Sequence, residues 1–363
     1  MRLLFNALQA ANRSGTGRYS AELALALMRR KDLELILAWP QGATVAVTPN
    51  THLMPLQAHG WRRLLFDQWS IERMFYEESA HLAHYPASIG RVFGEMPFVL
   101  TIHDLCVLRH PEWFRPERVA YYRRAIAASA LHAKRILADS LATADDIVAL
   151  LRFPINKIDI VPLGVTSEFH PCSFETVATV RARYALPERF FLYVGTIEPR
   201  KNLARLIQAW DSVADHVPDL VLAGREGWKC FSVHNALAKA HHAPRIHLPG
   251  FIPQDDLPAL LSAAEAFVWP SLYEGFGLPP LEAMACGVPV LTSDISSLPE
   301  IAADAALLVP PEDPAAIAEG LRALASNAAL RATLREAGIK RAAEYTWDRT
   351  AAAAVTAYAK AIK

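Results

Sequence analysis

Two carboxylates separated by seven residues, Glu274 and Glu282, flank a glycine-containing loop in the segment 270–291. The apolar run Ala266–Trp269 before them predicts a buried strand. Pro280 is tolerated only in the first turn of a helix. The pattern therefore places Glu274 on the loop at a strand's carboxyl end and Glu282 in the first turn of the next helix. The loop amides and the positive end of that helix suit a phosphate, and the carboxylates suit the hydroxyls of a sugar nucleotide.

A pair of basic residues, Arg200 and Lys201, occupies a similar position after another predicted strand. The apolar run Phe190–Gly195 precedes the pair, and Asn202 is typical of the N-cap that opens a helix. Cations on a loop between a strand and a helix suit the two negative charges of a diphosphate. The alternative is a solvated basic pair before an ordinary helix.

Two less specific patterns lie in the first half of the chain. Gly15 and Gly17 follow a short apolar strand, where a glycine loop either lets the backbone approach a phosphate or sugar or is a tight turn. His103 and Asp104 end the predicted strand 97–102, where parallel sheets place ligand contacts. These two residues either contact a ligand or cap a loop, and a general-base role for the histidine depends on geometry.

Aromatic residues mark three further segments. The helical segment 61–71 either meets an anionic membrane with a lipid-linked acceptor or packs on the sheet, and we favour packing. The helix predicted over 116–133 clusters basic residues beside Tyr121, on a face that meets an acceptor or is solvated. The loop carrying Phe251 and Ile252 is placed to hold a nucleobase by its backbone.

Strands and helices alternate along the chain, which predicts an α/β protein with parallel sheets covered on both sides. The alternation breaks and then restarts once. We therefore predict a first domain over 1–165, a second over 166–345, and a final helix over 346–363 that crosses back to the first. A hinge is expected near Gly164 and Tyr345.

The composition limits the classes of function. At 363 residues, the chain is long enough for two domains of ~100–200 residues each. Lys plus Arg and Asp plus Glu both number 37, so a broad nucleic-acid surface is not expected. We expect no membrane span and no signal peptide. The four scattered cysteines predict a reducing, cytoplasmic setting without a zinc site.

Two motifs together resemble a retaining glycosyltransferase of family 4. They are GTIEPRKN at Gly195–Asn202 and EGFGLPPLE at Glu274–Glu282. The resemblance covers essentially the whole chain, from the Gly15 loop to the helix that starts at Thr346. It implies the GT-B fold, in which two Rossmann-like parallel-sheet domains face a cleft and the C-terminal helix crosses back to the first domain.

The resemblance also implies roles for the matching residues. Glu274 would contact the hydroxyls of the donor hexose and Glu282 those of the ribose, while Lys201 would bind the diphosphate. His103 would lie near the reacting sugar. The remaining backbone contacts to the donor would come from Gly15, Gly17, Gly275, Phe276, Gly277 and Leu278.

One position departs from the family pattern. Many members carry an arginine directly after the strand-ending glycine, where this chain has Thr196. Arg200 or Arg225 would then supply the second positive charge. The implied catalytic set is His103, Glu274 and Lys201.

The resemblance implies a mechanism without cofactor or metal. No Asp-x-Asp triplet occurs in the chain. Lysine, arginine and helix-end amides would stabilise the departing diphosphate. The sugar would keep its configuration, with front-face attack and transfer of the acceptor's proton to the leaving phosphate. Closure of the domains would exclude water.

The Gly195–Asn202 segment looks most like mannosyltransferases of O-antigen and capsule assembly, which makes GDP-mannose the first expectation for the donor. The acceptor would be a glycan or a lipid-linked oligosaccharide, at the cytoplasmic face of the inner membrane. UDP-glucose, UDP-GlcNAc and GDP-rhamnose stay open as donors. The alternatives are a GT-B epimerase or phosphorylase, or a catalytically silent sugar-nucleotide-binding protein.

Overall fold

The computed structural model describes residues 1–12, 15–56 and 62–363, with the side chains of 62–67 left out. Within this range the chain forms two compact units. The first comprises Met1–Gly164 and Tyr345–Lys363, and the second comprises Val165–Glu344. Each bound lies one residue from the bound predicted from the sequence.

The first unit contains a parallel sheet in the order β3-β2-β1-β4-β5-β6-β7. Its strands are short apolar runs buried on both faces, as expected when helices cover both sides of a sheet. The strands are β1 (Arg2–Asn6), β2 (Glu34–Pro40), β3 (Thr51–Leu56), β4 (Leu82–Tyr85), β5 (Phe98–Ile102), β6 (Arg135–Ala138) and β7 (Ile158–Ile160). The helices are α1 (Gly15–Met28), α2 (Arg62–Glu77), α3 (Cys106–Arg109), α4 (Pro116–His132) and α5 (Leu141–Leu151).

The second unit repeats this plan with a parallel sheet in the order β10-β9-β8-β11-β12-β13. Its strands are β8 (Phe190–Val194), β9 (Asp219–Ala223), β10 (Ile246–Gly250), β11 (Ala266–Trp269), β12 (Val290–Ser293) and β13 (Leu307–Val309). Its helices are α6 (Phe174–Arg183), α7 (Leu203–Asp211), α8 (Phe231–Lys239), α9 (Leu257–Ala263), α10 (Leu278–Ala285), α11 (Leu298–Ala302), α12 (Pro314–Ser326) and α13 (Ala328–Ala343).

The final helix, α14 (Trp347–Ala361), belongs to the first unit. The hydroxyl of Thr350 donates to the carbonyl oxygen of Pro162 at 2.8 Å. At Gly164, an added Cβ would lie 2.3 Å from the backbone nitrogen of Trp347, so only glycine allows this close packing. The prediction of two Rossmann-like parallel-sheet domains, with the last helix returning to the first, is confirmed.

Besides the four-residue helix α3, three elements were not predicted from the sequence. Strand β3 is a partly buried edge strand that contains Pro55, and proline is depleted in strands. Helix α8 buries only Val233 and so shows no apolar stripe. Strand β13 has three residues and lies at the other edge of its sheet.

Two local predictions were wrong. Helix α10 begins at Leu278, so Glu282 is its fifth residue and lies in the second turn rather than the first. Asn202 precedes α7 in a left-handed conformation, but its side chain does not cap the helix. Its amide instead donates to the carbonyl oxygens of Pro270 and Pro311, at 3.0 and 2.6 Å. The residue therefore ties two loops together.

Among the helices that the structure describes, none combines the length and the apolar character that crossing a bilayer requires. The segment predicted as helical over 61–71 falls within α2, although Trp61 itself lies outside the described residues.

Candidate active site

The two sheets share one topological feature that locates a site in each. The first strand of each unit is central, and the strand order reverses between β1 and β4 and again between β8 and β11. In open parallel sheets, ligands bind outside the carboxyl ends of the strands at such a reversal. In the second unit, the loops after β8 and β11 carry the basic pair and the first acidic residue of the sequence motifs.

These two loops bring Lys201, Arg200 and Glu274 together. The Nζ atom of Lys201 donates to Oε1 of Glu274 at 2.7 Å. The guanidinium of Arg200 donates to Oε2 of the same carboxylate, also at 2.7 Å. Lys201 and Glu274 are 6% and 7% exposed, so this is a nearly buried ion triad. The basic pair is therefore not the solvated pair that the sequence left open.

A second carboxylate completes the charge balance. Oε1 of Glu198 accepts from Nε and Nη2 of Arg200, at 3.0 and 2.9 Å. Burial raises the pKa of Glu274, but Arg200 and Lys201 more than offset this and hold the pKa below its ordinary value. Burial and the neighbouring Arg200 lower the pKa of Lys201. The cluster thus places two cations against two anions.

Two stacked aromatic rings contact the ion triad. Trp269, the last residue of β11, lies face to face with Tyr193 of β8, with ring centroids 5.0 Å apart. The Nζ atom of Lys201 sits 4.2 Å from the Trp269 ring centroid, and the indole N–H of Trp269 donates to Oε1 of Glu274 at 3.1 Å. Desolvated cation–π contacts of this kind contribute about 2 kcal/mol. The platform therefore fixes both charged partners.

The backbone of the acidic loop is held by two serines. Ser296 accepts from the amide of Glu274 at 3.1 Å and lies 2.6 Å from its carbonyl oxygen. The Oγ atom of Ser297 lies 2.9 and 2.7 Å from the carbonyl oxygens of Glu274 and Phe276. Gly277 has φ 118°, which strongly favours glycine at the start of α10. The loop that precedes α10 is thus anchored at several points.

The other donor-site candidates of the second unit lie around the same edge of the sheet. The guanidinium of Arg225 stacks over the ring of Phe251 at 4.1 Å, after β9 and β10 respectively. Thr196 is exposed on the loop after β8, whereas Ile252 is buried. The remaining four candidates follow Glu274 along the chain: Gly275, Phe276 and Gly277 are buried in the loop, Leu278 starts α10, and Glu282 is buried within it.

The first unit presents a different kind of centre at the end of β5. Nδ1 of His103 lies 2.7 Å from Oδ2 of Asp139, and Nε2 lies 3.2 Å from the carbonyl oxygen of Pro86. Asp104, which the sequence placed either in contact with a ligand or as a cap of the loop, accepts from the amide of Cys106 at 3.0 Å. Asp104 therefore caps the loop, and the partner of His103 comes from the end of β6.

A buried hydrogen-bond chain connects α14 to the surroundings of His103. It runs from the hydroxyl of Tyr358 to Nδ1 of His84 at 2.7 Å, and from Nε2 of His84 to the hydroxyl of Thr101 at 2.7 Å. It continues from Thr101 to the hydroxyl of Tyr19 at 3.0 Å. The Tyr19 ring then packs edge-on against the ring of His103, with centroids 4.6 Å apart. This series of hydrogen bonds fixes the position of Tyr19, against which the His103 ring packs.

The two glycines of the first loop differ in what they allow. A Cβ at Gly17 would lie 2.0 Å from the carbonyl oxygen of Asn12, so this glycine is needed for the turn into α1. A Cβ at Gly15 meets no atom within 4 Å among the described residues. The sequence left open a tight turn or a phosphate contact. The turn into α1 explains the glycine at position 17. At Gly15, the described residues leave space beside the backbone, so a phosphate contact stays open there.

Sequence reasoning missed the aromatic platform, the two serines and Asp139. Trp269 and Tyr193 read as core residues of apolar strands, and only their position at the carboxyl ends signals a site. Asp139 directly follows β6, as His103 follows β5. Residues that follow neighbouring parallel strands meet at one edge, and that rule could have paired them.

Comparisons with known proteins agree with this architecture. A family model described as Glycosyltransferase Family 4 matches residues 13–169. A second, described as Glycosyl transferases group 1, matches residues 179–341. Two Rossmann-like units with these sequence signatures define the GT-B class of glycosyltransferases. The chain belongs to family 4 of these enzymes.

Similar proteins include O-antigen chain mannosyltransferase B of Escherichia coli, which is 34% identical over 264 residues, 72% of this chain and 69% of that protein. Serotype-specific mannosyltransferase WbdA of Escherichia coli is 29% identical over 298 residues, 80% of this chain but only 36% of WbdA. The matched part of the chain therefore spans about a third of the length of WbdA. The solved structure of sucrose-phosphate synthase from Thermosynechococcus elongatus matches with a TM-score of 0.77 at 21% identity, covering 99% of this chain and 98% of that one.

Proposed function

We propose that this protein transfers mannose from GDP-mannose to a glycan or lipid-linked acceptor during assembly of a surface polysaccharide such as O-antigen. The observation that carries the proposal is the convergence of Lys201, Arg200 and Glu274 at the strand-order reversal of the second unit. Both relatives described above are mannosyltransferases by name, and one acts on O-antigen chains. Their names support mannose over the other donors considered.

Donor binding requires an exchange of partners within the ion triad. Lys201 and Arg200 are paired with Glu274 and Glu198 in the structure. A diphosphate brings about two further negative charges, which compete with the carboxylate for the same donors. When the diphosphate takes Lys201 and Arg200, the Glu274 oxygens become available to accept from sugar hydroxyls. In this scheme the Glu274 carboxylate pairs with the two cations until the diphosphate replaces it, and it then binds the sugar.

The remaining donor contacts follow from the geometry of the same edge. Glu282 is assigned to the ribose hydroxyls, and the segment 275–278 is assigned to backbone contacts with diphosphate and sugar. The Arg225–Phe251 stack offers a flat, partly exposed surface for the nucleobase, beside the buried Ile252. In this assignment Arg200, and not Arg225, supplies the second positive charge at the diphosphate.

The reaction breaks the bond between C1 of the sugar and the phosphate oxygen and forms a bond between C1 and the acceptor oxygen. Positive charge develops on the sugar ring while negative charge collects on the diphosphate, which Lys201 and Arg200 stabilise in a water-poor site. The acceptor's proton passes to the leaving phosphate, and the configuration at C1 is retained. No cofactor or metal ion enters this scheme. His103, Gly15 and Gly17 are assigned to the reacting sugar and acceptor side.

An acceptor carried on a lipid calls for contact with the cytoplasmic face of the membrane. Helix α2 exposes 63% of Trp69 and 60% of Tyr76, and helix α4 exposes Tyr121 beside two arginines. Aromatic and basic side chains of this kind favour an anionic bilayer surface. We assign peripheral membrane contact to this part of the first unit.

The proposal is tested by transfer of radiolabelled mannose from GDP-mannose to a lipid-linked mannan primer, with product linkage read by NMR. Thermal shift with GDP and UDP checks the base, and GDP is expected to stabilise the protein more. Activity that vanishes in EDTA and returns with Mg²⁺ contradicts the metal-free scheme. Tight binding of GDP-mannose without transfer to any glycan primer would instead favour a silent sugar-nucleotide-binding protein.

A further inference from the structure

His103 faces hydrogen-bond acceptors at both of its ring nitrogens. Nε2 lies 3.2 Å from the carbonyl oxygen of Pro86, and a carbonyl only accepts, so Nε2 carries a proton. Nδ1 lies 2.7 Å from a carboxylate oxygen of Asp139, a contact that needs a second proton between the two atoms. The pair therefore holds one proton more than a neutral imidazole beside an ionised carboxylate. The ring keeps no free lone pair with which to receive another proton.

We propose that Asp139 is a positioning residue that fixes His103 in this doubly hydrogen-bonded state, so that His103 offers positive charge to the substrates and does not act as a general base. The inference rests on the proposed function, which assigns His103 to the substrate side of the first unit. The acceptor's proton must then leave by another route. It passes to the phosphate oxygen that C1 releases, as the acceptor oxygen bonds to C1.

The surroundings of the pair favour the same protonation state. Asp139 is 2% exposed, and its Oδ1 has no hydrogen-bond partner among the described residues. A buried carboxylate with so few partners is costly unless a positive group compensates it, and His103 is the group in contact. Burial alone lowers the pKa of His103, but Asp139, the Pro86 carbonyl and Asp104 together raise it above 6.5.

The other groups packed around the His103 ring act weakly on its charge. Tyr19 from α1 contacts the ring edge-on, and burial raises the pKa of its phenol, so this side chain stays neutral. His84 from β4 lies close enough to repel a second charge, but burial lowers its pKa to about 3 and keeps it neutral near pH 7. Asp139 and Asp104 are therefore the charges that decide the state of His103.

The experiment is an NMR titration of the imidazole of His103 in protein labelled with ¹⁵N-histidine. The His103→Gln variant assigns the signal. In the wild-type protein, both ring nitrogens are expected to report the protonated form at pH 7. In Asp139→Asn, the titration midpoint is expected to fall by about one pH unit or more, because the anionic partner is gone. Asp145→Asn, an exposed position on α5, serves as the matched control and leaves the midpoint unchanged.

The pH dependence of kcat is a second measurement, and it changes in opposite directions for a positively charged His103 and for a general base. With the proposed role, kcat falls as pH rises through the midpoint of His103, and in Asp139→Asn this fall moves to lower pH. A general base would instead make kcat rise with pH. An unprotonated Nε2 at pH 7 in the wild-type protein, or an unchanged midpoint in Asp139→Asn, overturns the inference. If Asp139→Asn does not fold, the wild-type titration decides alone.

The failure of this inference is distinguishable from the failure of the proposed function. The NMR titration needs no substrate, so a doubly protonated His103 in a protein that transfers no sugar refutes the function and keeps the state of the pair. An active transferase with a neutral His103 at pH 7 refutes the inference and keeps the function.

Discussion

The two units share the order of their first six strands, yet they place charge at the corresponding edge in different ways. The second unit gathers two cations and two anions around Glu274, with contacts of 2.7 Å from both Lys201 and Arg200. At the corresponding edge of the first unit, His103 pairs with Asp139 beside a chain of neutral buried hydroxyls and imidazole. The same kind of sheet thus carries the ionic cluster around Glu274 in the second unit and the His103–Asp139 pair in the first.

The difference indicates a division of labour. A cluster of competing carboxylates and cations can exchange partners when a diphosphate arrives, because each group already has an alternative. In the buried pair, the second carboxylate oxygen of Asp139 has no hydrogen-bond partner among the described residues, so we expect the pair to hold one state. We therefore expect substitutions in the second unit to change ligand affinity and substitutions in the first to change pH behaviour and stability.

The largest effect is expected from Glu274→Gln. Transfer should fall by about 100-fold or more, since a ligand of the reacting sugar is lost. GDP should bind more tightly than to the wild-type protein, because Lys201 and Arg200 no longer have a competing anion. Isothermal titration calorimetry and initial rates measure the two. The control is Glu265→Gln, whose carboxylate pairs with Arg189 at the amino end of β11. Weaker GDP binding in Glu274→Gln would contradict the exchange of partners.

Lys201→Ala should weaken GDP binding by roughly 10- to 100-fold, the value of a charge-assisted hydrogen bond of about 1.5–3 kcal/mol. The same change leaves Glu274 with Arg200 as its remaining cation and should lower the melting temperature of the donor-free protein. Calorimetry and thermal melts separate the two effects. Lys239→Ala, at the exposed end of α8, is the comparison variant and should match the wild-type protein. Unchanged GDP affinity in Lys201→Ala would remove the diphosphate assignment.

Acid stability should depend on His84 in the first unit. Burial lowers its pKa from 6.5 to about 3, so the unfolded chain binds a proton that the folded protein refuses. The contribution is fully present above pH 6.5 and is lost as pH falls from there toward 3, at about 1.4 kcal/mol per pH unit. Urea unfolding of the wild-type protein and His84→Gln at several pH values measures it. Parallel pH dependences for the two proteins would contradict the prediction.

The smallest effect is expected from Tyr358→Phe. It removes one hydrogen bond to His84, worth about 1 kcal/mol of unfolding free energy, while the ring still fills its buried site. GDP affinity should stay unchanged, because the donor cluster lies in the other unit. Thr356→Val, an exposed position on the same helix, controls for changes in α14 itself. A change in GDP affinity for Tyr358→Phe would contradict the expectation that substitutions in the first unit leave ligand affinity unchanged.

Much of the fold was available from the sequence, and for a clear reason. Strands buried on both faces read as short apolar runs, and all but β3 and β13 were located from them. The charged motifs of the second unit also fell where strands end, so their place at one edge followed from parallel topology. Their mutual pairing did not follow, because a residue pattern gives no distances. The sequence predicted that Lys201 binds a phosphate, and the structure shows that its Nζ atom forms an ion pair with Glu274.

The centre of the first unit was harder to predict. The sequence placed His103 and Asp104 together at a strand end, where they either contact a ligand or cap a loop, but it did not give the hydrogen-bond partner of His103. The partner, Asp139, lies 36 positions further along the chain. Only the register of β5 and β6, in which Ile102 lies beside Ala138, brings the two together. The rule that residues after neighbouring parallel strands meet at one edge could have paired them only once β5 and β6 were known to be neighbours.

The serines that clasp the acidic loop bear on how the protein responds to its donor. Ser296 and Ser297 hold the main chain of Glu274 and Phe276 in place through hydrogen bonds to backbone atoms. Rotation of one side chain, rather than refolding of a loop, then suffices to open the diphosphate position. Such a rotation leaves the main chain of the loop in place, so capture of the nucleotide by this unit calls for an exchange of ion pairs and not for refolding of the loop.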